Sequence, residues 1–590
     1  MKTTLCLLIF SILLFSCSPG YAQSAESGKD IIFSAMQDEL ARTMDMLEHP
    51  EAGKPFFVSF YYSKGSYLNA SATLGAVTSS RSGSISSSTY RLMMGDYDMN
   101  DENFEEVTDH EQVFQRNISP PLDMDYMGIR RNLWNLANES YKSASQNYLA
   151  KKAFFKKNPL QKPAFPDYLK QAPVVIEMPE PDRLPGTLQA DSLVRALSFI
   201  FGKYEQINTS MVNFRLVNSN LYILNSEGSR IRMPFSVSTV QVSASVINSN
   251  GESFSEEISF VSLDPTGLLT DKTLPGRIDN FAQYLLKVAN APKLEEIYNG
   301  PVLYAGTTSA PKLMMMLFSG KDALIAKREN ISNTPEYRRS EPKNNNNIET
   351  KMGKKVLPVE FSVMLKPTLG NYNGIDLFGK TLVDFDATVP PDELILVENG
   401  ILRDLLRNRI PSAKNVTTSN GHYRMGISES SILWNLEPSN IFFTSATAKP
   451  HDELKQSLLS LARQEGLDYA ILVRPVDDAS NTVTQAFYKV SLEDGSETLI
   501  QPLNITSEGG KMINHIAGCS EQELVYNFLS DSFNSYEDDY YGEYDWSYSS
   551  GSSGIPCSII MPDVILFTGM EAESRNASVD KWLLQEESDN

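Results

Sequence analysis

Histidine and cysteine are scarce in this sequence, with five of the first and four of the second in 590 residues. His49, His110, His422, His451 and His515 include no two at zinc-ligand spacing, and neither His-Glu-x-x-His nor Cys-x-x-Cys occurs. The commonest zinc motifs are therefore excluded. The nucleophile elbow Gly-x-Ser-x-Gly and the phosphate-cradling P-loop are missing as well. Basic residues are outnumbered, 52 Lys and Arg against 73 Asp and Glu, for a formal net charge of −21. Such a polyanion is repelled by phosphate backbones, which argues against nucleic acid as a partner. Beyond the N-terminus no apolar run is long enough for a transmembrane helix.

What is present is globular. A hydrophobic fraction of 41% with abundant aromatics is that of a folded chain, and the length predicts two or three domains. The opening MKTTLCLLIFSILLFSCSPGYA joins a basic Lys2 to an apolar stretch from Leu5 to Phe15. That stretch is too short to span a bilayer, and the pattern is that of a secretory signal. Two processing sites compete. Small residues precede Gln23 in Gly20-Tyr21-Ala22, whereas Leu14-Phe15-Ser16-Cys17 resembles a bacterial lipobox and makes Cys17 a lipidation candidate. Either site predicts an exported protein, in the periplasm or as an outer-membrane lipoprotein, with membrane contact only through a lipid anchor. Cys519 and Cys557 remain in the mature chain, as a disulfide or as two buried thiols.

Periodicity divides the rest. Apolar residues at helical spacing predict helices over 30–47, 127–155, 193–204, 278–293 and 449–466. The basic run KKAFFKK ends the second of these and is expected to be solvated. The segment KPFFVSFYY and the small-residue stretch after it predict long meandering strands. Asn225-Ser-Glu-Gly228 and Asn248-Ser-Asn-Gly251 predict hairpin turns within a later alternating region. A Pro-rich stretch near 158–186, the Asn-rich stretch near 328–351 and the acidic, Tyr-rich stretch near 535–554 are expected to be surface segments. The fold class is α+β, with a signal peptide over 1–22, an N-terminal α+β domain over 23–295 and a β-rich C-terminal domain over 296–590.

Residue chemistry alone gives few sites. His515 and Cys519 stand four residues apart, a spacing that would bring them together on a helix. His451 is expected on the surface, in the first turn of its helix. Asp384 and Asp386 alternate in LVDFDATVPPDE, so they are expected to project from one face of a strand into solvent. The segment KLMMMLFSGK over 312–321, with three consecutive methionines, follows the short strand PVLYAG and predicts a core helix.

Several segments resemble the TldD/PmbA family of metallopeptidase-related proteins, also called modulators of DNA gyrase, in its secreted form. They are GPVLYAG at 300–306, the turn at 225–228, VENGILRDLLRNR at 397–409, TSNGHYR at 418–424, EGLDYAILVR at 465–474 and SGIPCSIIMPDVIL near the C-terminus. The resemblance implies a two-domain fold with antiparallel sheets and long packing helices. It also implies peptide handling, with an unfolded peptide held as an added strand near Asn225, Glu227, Gly228, Asn420, Gly421 and Arg424. Catalytic members carry His-Glu-x-x-x-His after the Gly-Pro-Val-Leu strand. By count from Gly300-Pro301, that motif falls on Met314, Met315 and Ser319, and no His or Glu lies anywhere from 305 to 325. The resemblance thus implies a metal-free, non-catalytic subunit without a cofactor, zinc being confined to a TldD-like catalytic paralogue. The competing expectations are a metallopeptidase whose metal site has moved to His422, His515 or Cys519, and a surface-tethered binding protein.

Overall fold

The computed structural model describes residues 30–105, 119–120, 122, 125–179, 186–328, 331–332, 348–428, 431–481, 484–507, 512–530, 554–575 and 578–579. The signal segment with Cys17, His110, most of the Asn-rich stretch and the acidic, Tyr-rich stretch lie outside them.

The N-terminal half is built on a seven-stranded sheet. Its long strands are β1 (Pro55–Thr73), β2 (Ala76–Met94), β3 (Ile207–Asn225), β4 (Arg230–Ile247) and β5 (Glu252–Ser262), adjacent in the order β2-β1-β3-β4-β5 and antiparallel throughout. The β1–β2 hairpin turns on Leu74 and Gly75, both with positive φ, the geometry that matches strand twist in a two-residue loop. The two predicted Asn-x-x-Gly turns share one construction. Asn225 Oδ1 accepts from the amides of Glu227 and Ser229, and Asn248 Oδ1 accepts from those of Asn250 and Glu252. Gly228 and Gly251 supply the left-handed residue in each.

Alternation along the strands gives the sheet two apolar faces. Val58, Phe60 and Tyr62 face helices α1 (Ile31–Met46) and α2 (Tyr126–Lys157). Farther along the same sheet, Leu68, Phe214 and Val240 pack under α3 (Thr187–Phe199), the single turn α4 (Gly267–Thr270) and α5 (Leu274–Ala289). Tyr61, Val217 and Ile223 point the other way, into the C-terminal half. Two helices begin earlier than the apolar spacing suggests. Helix α5 starts at Leu274 because Pro275, with no amide to lose, sits well in a first turn. Helix α3 starts at Thr187, and its predicted end is the 3₁₀ turn Ile200–Lys203.

The basic end of α2 is not wholly solvated. Lys151 is fully buried, 2.6 Å from Asp167, with Arg328 on the other carboxylate oxygen. Burial reverses the expectation for this one lysine because its counter-ion comes from a separate loop.

The C-terminal half opens with β6 (Tyr298–Ala305) and α6 (Ala310–Phe318). One sheet centres on β7 (Phe361–Leu365), flanked by β8 (Leu394–Glu398) and β10 (Asn440–Ser445), with β13 (Glu523–Ser530) and β14 (Ile555–Pro562) beyond. The hairpin β9, whose strands are Tyr423–Ile427 and Ile432–Leu436, stands apart from it. A second sheet places β6 between β11 (Tyr469–Pro475) and β15 (Val564–Ser574), with β12 (Gln485–Ser491) outside β11. Most pairs are antiparallel. The exceptions are β6 with β11, β10 with β14, Val175–Glu177 with β4, and Phe104–Glu105 with Ile331–Ser332.

Val302 and Tyr304 of β6 enter the core between the two sheets, together with Val363, Ile441, Ile559 and Phe567. Leu303 turns outward, beneath helix α7 (His451–Gln464). The C-terminal strand Ser578–Val579 returns to pair with β5 in the N-terminal sheet. Among the described residues no helix is long and apolar enough to cross a membrane.

Candidate functional site

Helix α6 follows β6 through the 3₁₀ turn Gly306–Ser309, with Pro311 in its first turn. Leu313, Met314, Leu317 and Phe318 occupy its buried face, and Met314 is only 1% exposed. Met315 lies on the opposite side at 36% exposure. Ser319 is outside the helix, in extended backbone, where its amide closes the last turn on Met315 O at 3.1 Å. Lys312 is half-buried, its ammonium 5.2 Å from the Tyr304 ring centre, and desolvation holds its pKa down to about 8. The Tyr304 hydroxyl is buried without a hydrogen-bond partner.

These residues do not fit a zinc site. The three aligned positions offer a buried thioether, an exposed thioether and a hydroxyl beyond the helix end, with no carboxylate to take a proton from metal-bound water. Among the described residues no three His, Cys, Asp or Glu side chains converge as a metal-holding group.

The other candidate ligands are dispersed. His422 is fully buried, with Nδ1 2.8 Å from Asn420 O and Nε2 3.2 Å from Ser439 Oγ. Because a carbonyl only accepts, Nδ1 carries the proton and Nε2 accepts from the serine. Burial, and then the Arg424 cation, push this imidazole down to about 3. His515 and Cys519 do not share a helix. His515 ends the 3₁₀ turn Met512–His515, and Cys519 ends the strand Ile516–Cys519. A four-residue spacing brings side chains together only in helical backbone. Cys519 and Cys557 are both free and buried, and burial pushes each thiol up to about 12. His451 is on the surface, with Nε2 2.7 Å from Asp563.

Polar chemistry concentrates instead in the interior between the halves. Asp384 and Asp386 are buried, at 0% and 3% exposure, in a turn and not on a solvated strand. Ala387 in the left-handed region breaks the alternation that suggested a strand. Asp386 accepts from Arg91 Nη1 at 2.6 Å, Tyr168 Oη at 3.3 Å and the Arg409 amide at 3.2 Å. Asp384 accepts from the amides of Asp386, Thr388 and Tyr423, and burial and then its neighbour Asp386 raise its pKa well above the usual carboxylate range.

Arg409 is completely buried. Its Nη2 donates to Glu227 at 2.6 Å, its Nε donates to Leu169 O at 2.8 Å, and its guanidinium lies 4.2 Å from the Tyr168 ring centre. Tyr97 also donates to Glu227, at 2.7 Å. Above this cluster, Tyr61 of β1 stacks on Phe385 at 3.8 Å, and Phe385 stacks on Trp434 at 5.0 Å.

Of the six turn residues singled out by sequence, the four with polar side chains serve internal bonds. Asn225 organises its own turn, while Glu227 receives Arg409. Asn420 accepts from the Arg407 amide and donates to Leu405 O. Arg424 donates to Thr381 Oγ1 and Pro438 O, and approaches Cys557 Sγ at 3.4 Å. Gly228 and Gly421 adopt positive φ, and a Cβ on Gly421 would lie 2.8 Å from Pro390. Sequence reasoning missed Arg91, Tyr168, Asp386 and Arg409 as partners. Only the position of Arg409 at the end of VENGILRDLLRNR pointed towards it.

A two-half α+β chain with strand, 3₁₀ turn and short helix opening its second half can now be set against known proteins. Residues 338–570 match the model of the PmbA/TldA metallopeptidase C-terminal domain. A proposed modulator of a DNA gyrase from Thermotoga maritima shares the fold, with a TM-score of 0.51 at 12% identity over 88% of this chain and 96% of that one. TldE from Thermococcus kodakarensis gives 0.52 at 11% identity, over 92% and 100%. A proposed modulator of DNA gyrase from Bacteroides thetaiotaomicron gives 0.51 at 11%, over 92% and 98%. No curated protein matches the sequence. The family match thus covers residues 338–570, and over most of the chain the likeness to these solved structures is one of fold.

Proposed function

We propose that this protein is a non-catalytic, peptide-handling subunit of a TldD-type assembly, exported from the cytoplasm and acting beside a catalytic paralogue that carries the zinc. The observation that carries the reading is α6. It stands by count where the resemblance places two metal-binding histidines and a glutamate base, and it presents Met314 and Met315, with Ser319 just past its end. Peptide handling has support in the N-terminal sheet. Strand β2 is an edge of that sheet, and its half nearest the turn, 76–85, exposes small side chains over most of its length. An extended peptide added there would gain main-chain hydrogen bonds irrespective of its sequence. On this reading Glu227 braces the frame behind the peptide through Arg409, and Asn225, Asn420 and Arg424 brace it through bonds of their own. They need not touch it.

The test uses the mature chain from Gln23, purified alone. Elemental analysis should find no stoichiometric zinc, and unfolded polypeptide should be bound without being cut. A His-Glu-x-x-x-His paralogue should co-purify from native envelopes and supply the cleavage. Chelator-sensitive proteolysis by the isolated chain would overturn the reading.

A further inference from the structure

Helix α2 carries seven basic residues and one acidic residue, Glu139, in a chain whose formal net charge is −21. Two of the seven are engaged inside the fold, Lys151 with Asp167 and Arg130 with Glu39. The other five, Arg131, Lys142, Lys152, Lys156 and Lys157, are exposed, and none forms an ion pair among the described residues. Steps of about 100° per residue place all five within an arc of about 140°. That arc is opposite Ile129, Leu133 and Ala144, which face the core. From Arg131 to Lys157 the strip rises about 39 Å.

Two exposed apolar side chains lie at its N-terminal end. Met127 is 57% exposed and Trp134 43%, and the Arg42 guanidinium stands 5.8 Å from the Trp134 ring centre. Tryptophan, with an apolar body and a polar N–H, favours membrane–water interfaces. Helix α1 runs parallel to α2, since Tyr126 donates to Asp38, Arg130 meets Glu39 and Trp134 meets Arg42. The chain therefore enters the fold at the Met127 and Trp134 end of the strip. Cys17, the lipidation candidate, precedes the α1 cap Asp30 by 13 residues, a reach of at most about 45 Å. On α1, the exposed Asp38, Asp45 and Glu48 confine the cationic strip to the α2 side.

We propose that this face of α2 docks on an anionic lipid bilayer, its five cations over the phosphate headgroups and Trp134 and Met127 at the interface. A chain of this net charge is repelled from such a surface unless it turns a local face of opposite sign towards it. An acidic polypeptide would match the charges alone. It would leave the exposed Trp134 and Met127, and the N-terminal tether beside them, without a role.

The mature chain from Gln23, without lipid, is sedimented with vesicles of phosphatidylglycerol and phosphatidylethanolamine, and with vesicles of phosphatidylcholine. The anionic vesicles should bind it at least tenfold more tightly, and the preference should shrink as salt rises. Lys156→Gln/Lys157→Gln should weaken that binding about tenfold. Lys272→Gln/Lys293→Gln, which removes two exposed lysines outside α2, should leave it within about twofold. The blue shift of tryptophan emission on binding should disappear in Trp134→Phe. All these variants alter exposed side chains, and native circular dichroism checks their folding. No preference for anionic vesicles, equal loss in the two lysine pairs, an unchanged emission response in Trp134→Phe, or tight binding of polyglutamate in place of vesicles would each overturn the proposal. The encounter with a bilayer rests on the exported reading, which has its own test: fractionation of the full chain to the cytoplasm would end that reading, whereas vesicle binding is measured without it.

Discussion

The interior around α6 and the interior around Arg409 are both fully packed, but by opposite means. Met314 is held by Leu313, Leu317 and the sheet residues of the C-terminal core, through many small dispersion contacts. Arg409, Glu227, Asp386 and Arg91 are held by short, directional, charged bonds that join the N-terminal sheet to the C-terminal half. The first kind of packing tolerates replacement by an apolar side chain of similar volume. The second does not, because each group left behind is a buried charge without a partner. The interior around α6 is thus an adaptable apolar core, while the join between the halves resides in residues with no catalytic signature.

This contrast can be tested from its strongest expected effect downward. Arg409→Met should cost about 3–5 kcal/mol in urea unfolding, because it strands the Glu227 carboxylate. Adding Glu227→Leu should return part of that loss, and a single-variant cost under about 1 kcal/mol would show that the network does not hold the halves together. Met314→Ala should cost about 2–5 kcal/mol through the cavity it leaves, whereas Met315→Ala, at the exposed position, should cost less than about 1 kcal/mol. Equal costs at the two positions would contradict the orientation of α6.

The pH dependence isolates two further buried groups. His422 has its pKa depressed to about 3, so its neutral form stabilises the fold fully above the usual histidine value. That contribution is lost as pH falls from about 6.5 towards 3, with a slope of about 1.4 kcal/mol per pH unit, and His422→Gln should flatten this acid limb. Asp101 is opposite in sign. Burial, and then the Glu102 charge, raise it to about 8, so its contribution is present below the usual carboxylate value and declines as pH rises through 8. Asp101→Asn should flatten the decline in stability between the usual carboxylate value and pH 8 in the same unfolding curve.

The smallest effect is expected from Met314→His/Met315→Glu/Ser319→His. Metal titration should show no stoichiometric zinc, because residue 319 lies past the last helical turn and cannot be positioned by α6. Tight binding would mean that α6 extends when a ligand demands it.

Some of this was legible in advance because the signals were local. The Asn225 and Asn248 turns carry their own hydrogen-bond acceptors and glycines, so they form as the sequence implies. Helices α1, α2 and α7 follow their apolar spacing to within a few residues. The misreadings share a different cause. Asp384 and Asp386 look solvated until Arg91, 295 residues from Asp386 in sequence, is seen against them. Lys151 looks like a solvated helix end until Asp167 arrives from a separate loop. His515 and Cys519 look like a helical pair until the backbone between them turns extended.

The sequence by itself determined that residues 305–325 contain no histidine or glutamate, and no folding can supply groups the chain does not encode. It also determined the α+β class, since apolar periodicity and turn residues act over a few positions. Only the tertiary structure decided which charged residues are buried together, and that Glu227 of a predicted turn serves Arg409 while Asn420 and Arg424 serve other internal bonds. Burial and pairing are properties of neighbours distant in the chain, and the free energy of a charge depends on what surrounds it.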